Sequence, residues 1–168
     1  KDFDVAEAKR QENLLDVLTC GVGDPLPVEV VRAAILLRAN ALARGYSGVR
    51  PVVVERLLDL LNHGITPVVP RYGSVGASGD LCPSAYIAGV LLARGEVLYR
   101  GVRTPAATAL QTEGIEPLRL EPKEGLALLN GTTMMTAMAA VVVWDLEYLL
   151  RASLAAVALA VEALGASP

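Results

Sequence analysis

Proline opens and glycine closes several of the apolar runs in this chain, and that punctuation limits what the runs can become. Pro27 starts a run that breaks at Gly45, Pro51 starts one that stops at Gly64, and a run over 105–112 ends before Gly114. Proline has no N–H to donate and its φ suits a first helical turn; glycine tolerates the positive φ that commonly follows a last one. Within the runs, apolar residues recur three and four positions apart: Val30, Ala34, Leu37 and Ala41 in the first, Val54, Leu57, Leu58 and Leu61 in the second. This spacing predicts helices over 27–44 and 51–62. The same reading gives a short helix over 11–20 ended by Gly21 and a turn at 24–27. An extended stretch over 65–71 follows, then a helix over 80–94 closed by Gly95. A small hairpin over 96–102 turns at Arg100 and Gly101, and a short helix covers 105–112. Residues 117–120 are extended, and the pattern is helical from Lys123 to about Leu164, broken at Asn130 and Gly131. The expected fold class is mainly α, with one small β-hairpin and very short connections.

Composition agrees. Of the 168 residues, 53% are hydrophobic and only 4% aromatic, so Ala, Val and Leu carry the core. Such a mixture favours close helix packing over a β-sandwich. Several helices are apolar on more than one face, and 152–164 is almost pure Ala, Leu and Val. A domain this small cannot bury all of that alone, which predicts oligomerisation, further chain, or both. From Gly125 to Trp144 no residue is charged, about the length of a membrane span. The run is rich in Ala, Thr and Gly, is broken at Asn130 and Gly131, and continues into Asp145, Glu147 and Arg151. It reads as a helix buried in an assembly, with no membrane partner.

The net charge of −3 is scattered along the chain, and the absence of a basic stripe argues against nucleic acid. Cys20 and Cys82 form no CxxC pattern and His63 is the single histidine, too few ligands for an ordinary metal site. Both thiols are expected free and reduced, which fits a cytoplasmic protein. The N-terminal KDFDVAEAKRQEN is charged and has no signal-peptide core.

The segment that does not fit a plain helical protein is GSVGASGD, residues 73–80, with three glycines and two serines between apolar runs. It reads as a turn in which Ser78 or Asp80 caps the next helix. A phosphate cradle lacks the Gly-Lys-Ser/Thr that would follow it. A serine nucleophile lacks the G-x-S-x-G frame, and only His63 is available as its base.

Five blocks in order, "QENLL", "GVGDPLP", "LLRANALARGYSGVRP", "LLNHGITPVVPRYGSVGASGDL" and "PKEGLALLNGTTMMTA", resemble successive stretches of the aromatic amino acid ammonia-lyases and 2,3-aminomutases that carry a methylidene-imidazolone (MIO) group. The resemblance covers nearly the whole chain and implies the helical MIO-domain core of that fold. It also implies that Ala77, Ser78 and Gly79 cyclise without an external cofactor. The Gly79 nitrogen attacks the Ala77 carbonyl, and two waters are lost, one of them carrying the Ser78 hydroxyl. The resulting electrophile accepts the substrate's α-amino group and makes it a leaving group while a base takes the β-proton. Asn130 matches the asparagine beside the ring carbonyl and Asp80 the acid that assists cyclisation; without the resemblance they read as a C-cap and an N-cap. Val17 and Leu18 stand where histidine-type and many tyrosine-type enzymes present a polar group to the substrate ring. Two apolar residues there lean toward phenylalanine, with tyrosine open; read alone, they are core residues. "SAYIAG" over 84–89 also resembles the phenylalanine-type branch.

Relative to that family the chain is short. It is expected to be a single MIO-bearing domain over 1–168 that lacks an N-terminal loop with the tyrosine base and the C-terminal helices that bind substrate. None of Tyr46, Tyr72, Tyr86, Tyr99 and Tyr148 matches that base. The family shares active sites between subunits of a tetramer, so this chain alone is expected to form a smaller or altered oligomer with little or no activity. The residues present do not separate lyase from mutase. The competing reading is an inert helical piece that oligomerises through its apolar faces and keeps an uncyclised loop.

Overall fold

The computed structural model describes residues 2–74 and 79–165, with side chains from residue 9 onward. Seven helices and five short strands are assigned among the described residues, so the chain is mainly α. In order they are α1 Asp2–Leu18, β1 Val22–Pro25, α2 Val28–Ala43, α3 Pro51–Asn62, β2 Thr66–Pro67, β3 Pro70–Tyr72, α4 Leu81–Leu91, β4 Glu96–Tyr99, β5 Val102–Pro105, α5 Ala106–Thr112, α6 Glu124–Leu129 and α7 Thr133–Ala163. They form two compact units, Lys1–Ala137 and Met138–Pro168.

In the first unit α4 is the central element. It is apolar on all sides, nine of its residues from Cys82 to Leu91 are buried, and it packs on α1, α6 and β2. A helix of that kind is stable only when surrounded. Helices α2 and α3 pack together, and Val31, Ile35, Leu42, Val53, Leu57 and Leu60 on them are buried. Two small antiparallel sheets pin the connections. One pairs β1 with β3, and the other runs β2-β4-β5, closed by the turn at Arg100 and Gly101.

Most helices fall where the punctuation places them, and α3 spans 51–62 as expected. Several details differ. Helix α1 runs from Asp2 to Leu18 rather than over 11–20. In α2 the expected stripe is buried at Val30 and Ala34, but Leu37 is half-buried and Ala41 exposed. Strand β1 occupies a stretch that reads as a turn, because Val22 and Pro25 find partners in Tyr72 and Pro70 far along the chain. Helix α4 stops at Leu91 rather than near 94, since Ala93 and Gly95 both adopt positive φ. The buried face of α3 is rotated by one position: Val53, Leu57 and Leu60 are inside, while Val54 and Leu61 are half-buried and Leu58 is exposed. Both sets satisfy helical spacing, and packing against α2 decides between them.

In the second unit the helix continues from Met138 with its large apolar side chains in solvent, among them Val142, Val143, Trp144, Leu146, Leu149, Leu150 and Leu154. The stretch Glu124–Ala163 is long and apolar enough to cross a membrane by length and composition only, a property it shares with core helices of soluble proteins.

Candidate active site

Ala77 and Ser78 lie outside the described residues; Gly79 and Asp80 do not, and they carry the geometry. Gly79 has φ of 91°, and a Cβ placed on it would collide with the Gly131 carbonyl oxygen. An L side chain is therefore excluded twice, by conformation and by space. The Asp80 amide donates to the same carbonyl at 3.0 Å. Backbone 79–80 thus lies directly on the helix break at 130–131.

Asp80 is buried and joins two helix starts. Its carbonyl accepts the Ser84 amide at 2.9 Å, opening α4. Its side chain makes no cap bond to α4. Instead Oδ2 accepts the Met135 amide at 2.9 Å, satisfying a free donor in the first turn of α7. Asp80 stands at the N-cap position of α4 as expected, but its side chain satisfies a donor of α7 and not of the next helix. A carboxylate there also faces the positive end of the α7 dipole.

Asn130 closes α6 as its C-cap and is exposed. Its Nδ2 donates to the Leu126 carbonyl at 3.1 Å, and its own carbonyl accepts from Arg38 Nη1 at 2.5 Å. Both features of the C-cap reading are present, and the side chain sits one residue from the carbonyl that Gly79 and Asp80 touch.

Val17 and Leu18 end α1, the first exposed and the second half-buried. A cavity of about 300 Å³ opens between α1 and α4, lined by Leu15, Asp16, Thr19, Ala85, Tyr86 and Gly89 among others. Val17 and Leu18 flank these lining residues without lining it themselves. Beyond them the chain turns into β1, whose partner β3 leads straight into the loop. The Tyr86 hydroxyl accepts the Gly21 amide at 3.1 Å, fixing that junction, and burial raises its phenol pKa. Cys82 lies in the same place, buried, its thiol pushed up first by burial and then by the nearby Cys20.

Sequence reasoning missed the residues that hold this region. Arg38, in the middle of α2, is 7% exposed and donates to Ala127 O, Asn130 O and Thr133 Oγ1. Burial lowers its pKa, countered by the field of Asp80. Glu124 is 1% exposed and accepts from the Arg50 and Glu121 amides and from two guanidinium nitrogens of Arg50. Gln11 completes the knot, accepting the Gly125 amide at 2.7 Å and donating to Glu121 O at 3.2 Å. The available signal was an ionisable residue in line with a buried stripe: Arg38 follows Ala34 and Ile35 by four and three positions. His63 is engaged elsewhere, with Nδ1 3.0 Å from the Asp59 carbonyl at the end of α3. Among the described residues no group of three or more His, Cys, Asp or Glu forms a metal site.

Position 79 is thus a glycine by necessity, and the backbone that follows it is anchored to the break at 130–131. The sequence matches the aromatic amino acid lyase family over residues 4–168, and the chain belongs to that family. It is 58% identical over 154 residues to a histidine ammonia-lyase of Geobacillus sp. (strain WCH70), covering 92% of this chain and 30% of that protein. The chain thus spans about a third of the length of the curated relatives it matches. A histidine ammonia-lyase structure from Trypanosoma cruzi superposes with a TM-score of 0.92 at 34% identity, over 98% of this chain and 32% of that one. A tyrosine aminomutase structure from Streptomyces globisporus superposes with a TM-score of 0.76 at 44% identity, over 82% and 26%. The phenylalanine or tyrosine preference read from Val17 and Leu18 is not supported by this relative or by two more at 56% and 54% identity, from Geobacillus thermodenitrificans and Geobacillus kaustophilus, which are also histidine ammonia-lyases.

Proposed function

We propose that this chain is the ring-forming core of an MIO-dependent ammonia-lyase or 2,3-aminomutase acting on an aromatic amino acid, with the electrophile built from Ala77, Ser78 and Gly79. The observation that carries the reading is Gly79, left-handed and pressed on the Gly131 carbonyl. Its lack of a side chain leaves the nitrogen unhindered, and Asp80 anchors the backbone that follows. Asn130, next to Gly131, supports a role beside the ring carbonyl. Once formed, the ring supplies an electrophile for the substrate's amino group, so that the amine can leave as the β-proton is removed.

Phenylalanine is the substrate this reading favours, then tyrosine, because Val17 and Leu18 offer no hydrogen bond to an imidazole or a phenol. Histidine is the second reading, favoured by the 58% identity to a protein of that named activity. Because the chain alone is expected to have little or no activity, the readings are separated with the chain set in the frame of a full-length relative, by ammonia release with each amino acid read beside cinnamate, coumarate and urocanate. Urocanate as the sole product replaces the first reading with the second.

Association into a homo-oligomer is part of the proposal, since Trp144, Leu149, Leu150 and Leu154 need cover. So is a cytoplasmic location, in keeping with free Cys20 and Cys82. The test of the core reading is intact mass. Loss of two waters puts the chain about 36 Da below its encoded mass, and the deficit maps to a peptide containing 77–79. An unshifted mass removes ring formation from this chain and leaves the inert helical reading.

A further inference from the structure

We infer that Arg38 is the positioning residue for the Gly79 nitrogen, acting through the break between α6 and α7. The inference rests on the ring-forming reading above and concerns what sets the geometry of ring closure. In that step a bond forms between the Gly79 nitrogen and the Ala77 carbonyl carbon. The carbonyl oxygen leaves as one water and the Ser78 hydroxyl as the other. Nothing is oxidised or reduced, so the barrier depends on approach and orientation.

One side chain bonds to three residues around the break and closes off the side-chain space of a fourth. Arg38 Nη1 donates to the carbonyls of Ala127, at 3.2 Å, and Asn130, at 2.5 Å, which lie at the end of α6 where no helical donor remains. Nη2 donates to Thr133 Oγ1 at 3.1 Å, the first residue of α7. Both nitrogens lie 3.0 Å from where a Cβ on Gly131 would sit, and Gly131 has φ of 136°. The guanidinium therefore holds the end of one helix and the start of the next, and it leaves no room for a side chain at Gly131 between them. The carbonyl of that residue in turn accepts the Asp80 amide and blocks any side chain at 79.

A cation at this depth needs a reason. Burial lowers the pKa of Arg38 and only the field of Asp80 offsets it, while a neutral residue would pack at less cost. Arginine suits the task because its planar fork reaches several acceptors in fixed directions, which an ammonium does not.

The experiment follows ring closure and local exchange together in the 168-residue chain and its Arg38→Met, Arg38→Lys and Thr133→Val variants. The mass deficit is expected to appear about 100-fold more slowly in Arg38→Met, the scale of a misplacement near 1 Å. Arg38→Lys does not restore it, and Thr133→Val, which deletes a single acceptor, is intermediate. Hydrogen exchange at the Asp80 and Met135 amides quickens by at least about tenfold in Arg38→Met while the α5 amides keep their protection, which separates local positioning from general loss of fold. Deficits that appear at the unsubstituted rate in both Arg38→Met and Thr133→Val overturn the inference, as do unchanged exchange rates at 80 and 135. If Arg38→Met does not fold, Thr133→Val decides by the same readouts. If the unsubstituted chain shows no deficit, the ring-forming reading fails by itself. Exchange at 80 and 135 then still decides the positioning, faster exchange upholding it and unchanged exchange ending it.

Discussion

Replacing Glu124 by glutamine is the sharpest test of how this unit is held together. The carboxylate accepts four hydrogen bonds: from the Arg50 amide and Nε on Oε1, and from Arg50 Nη2 and the Glu121 amide on Oε2. Glutamine keeps one oxygen and turns an NH2 toward two donors. Two bonds are lost, donors face donors, and the guanidinium loses its counter-charge. Breaking a buried pair from one side costs about 3–5 kcal/mol. The Arg50 side chain is 37% exposed, so water recovers part of that and the lower end, about 3 kcal/mol, applies. With a urea slope of about 2 kcal/mol/M, the unfolding midpoint falls by about 1.5 M. The pH dependence gives an independent sign. Burial pushes the Glu124 carboxyl up, but the bonds from Arg50 and the Glu121 amide outweigh it, and the net displacement is downward. A carboxyl with a depressed folded pKa stabilises above its unfolded value, near 4.3, and that stability is lost as pH falls through the folded value. The unsubstituted chain therefore weakens on acidification below about pH 5, and Glu124→Gln loses that part of the slope. A midpoint shift below about 0.5 M, or acid slopes that coincide, would refute the assignment of Glu124 as the keystone.

Three further outcomes follow from the site. Gly79→Ala abolishes the mass deficit and destabilises the fold by about 1–3 kcal/mol, because a Cβ there meets the Gly131 carbonyl at positive φ; normal ring formation in this variant contradicts the close approach. Asp80→Ala removes the cap of α7 and costs about 1–2 kcal/mol by urea unfolding, whereas Asp80→Asn, which keeps an acceptor for the Met135 amide, costs well under that; equal losses in both would point away from capping. A neutral-pH thiol reagent labels Cys20 first and Cys82 slowly, since Cys82 is buried with its thiol pushed up by burial; equal labelling rates would rule out the burial.

The fold was legible where local rules are sufficient. Pro51 and Gly64 bracket α3, Arg100 and Gly101 mark the hairpin turn, and Asn130 with Gly131 marks the break between α6 and α7. Each of these is set by residues within a turn of the feature. What local spacing left undecided is which side of an element faces inward. The apolar positions of α3 support two overlapping stripes, and the chosen one, Val53, Leu57 and Leu60, depends on where α2 lies. Strand β1 went unread for a related reason: four residues containing Gly23 and Pro25 have no strand pattern of their own and become a strand only beside β3.

The site divides along the same line. Gly79, Asp80 and Asn130 stood out because glycine, a short acid and an asparagine at helix ends are locally conspicuous. Their use was not readable, since each serves a partner distant in sequence: Asp80 caps a helix 55 positions on, and Arg38 closes one 92 positions on. A buried arginine in an apolar helix looks, by sequence, like a defect in the stripe. In the structure its side chain reaches both ends of the helix break. Glu124 is filled partly from afar, by Arg50 74 positions back, and partly by the Glu121 amide three residues before it. Long-range satisfaction of helix ends is thus the information that local pattern does not carry. The chemistry proposed for the loop depends on it: the nitrogen at 79, which in that proposal attacks the carbonyl of Ala77 two residues back, precedes an Asp80 that is bonded to the break between α6 and α7, and α2 holds that break through Arg38.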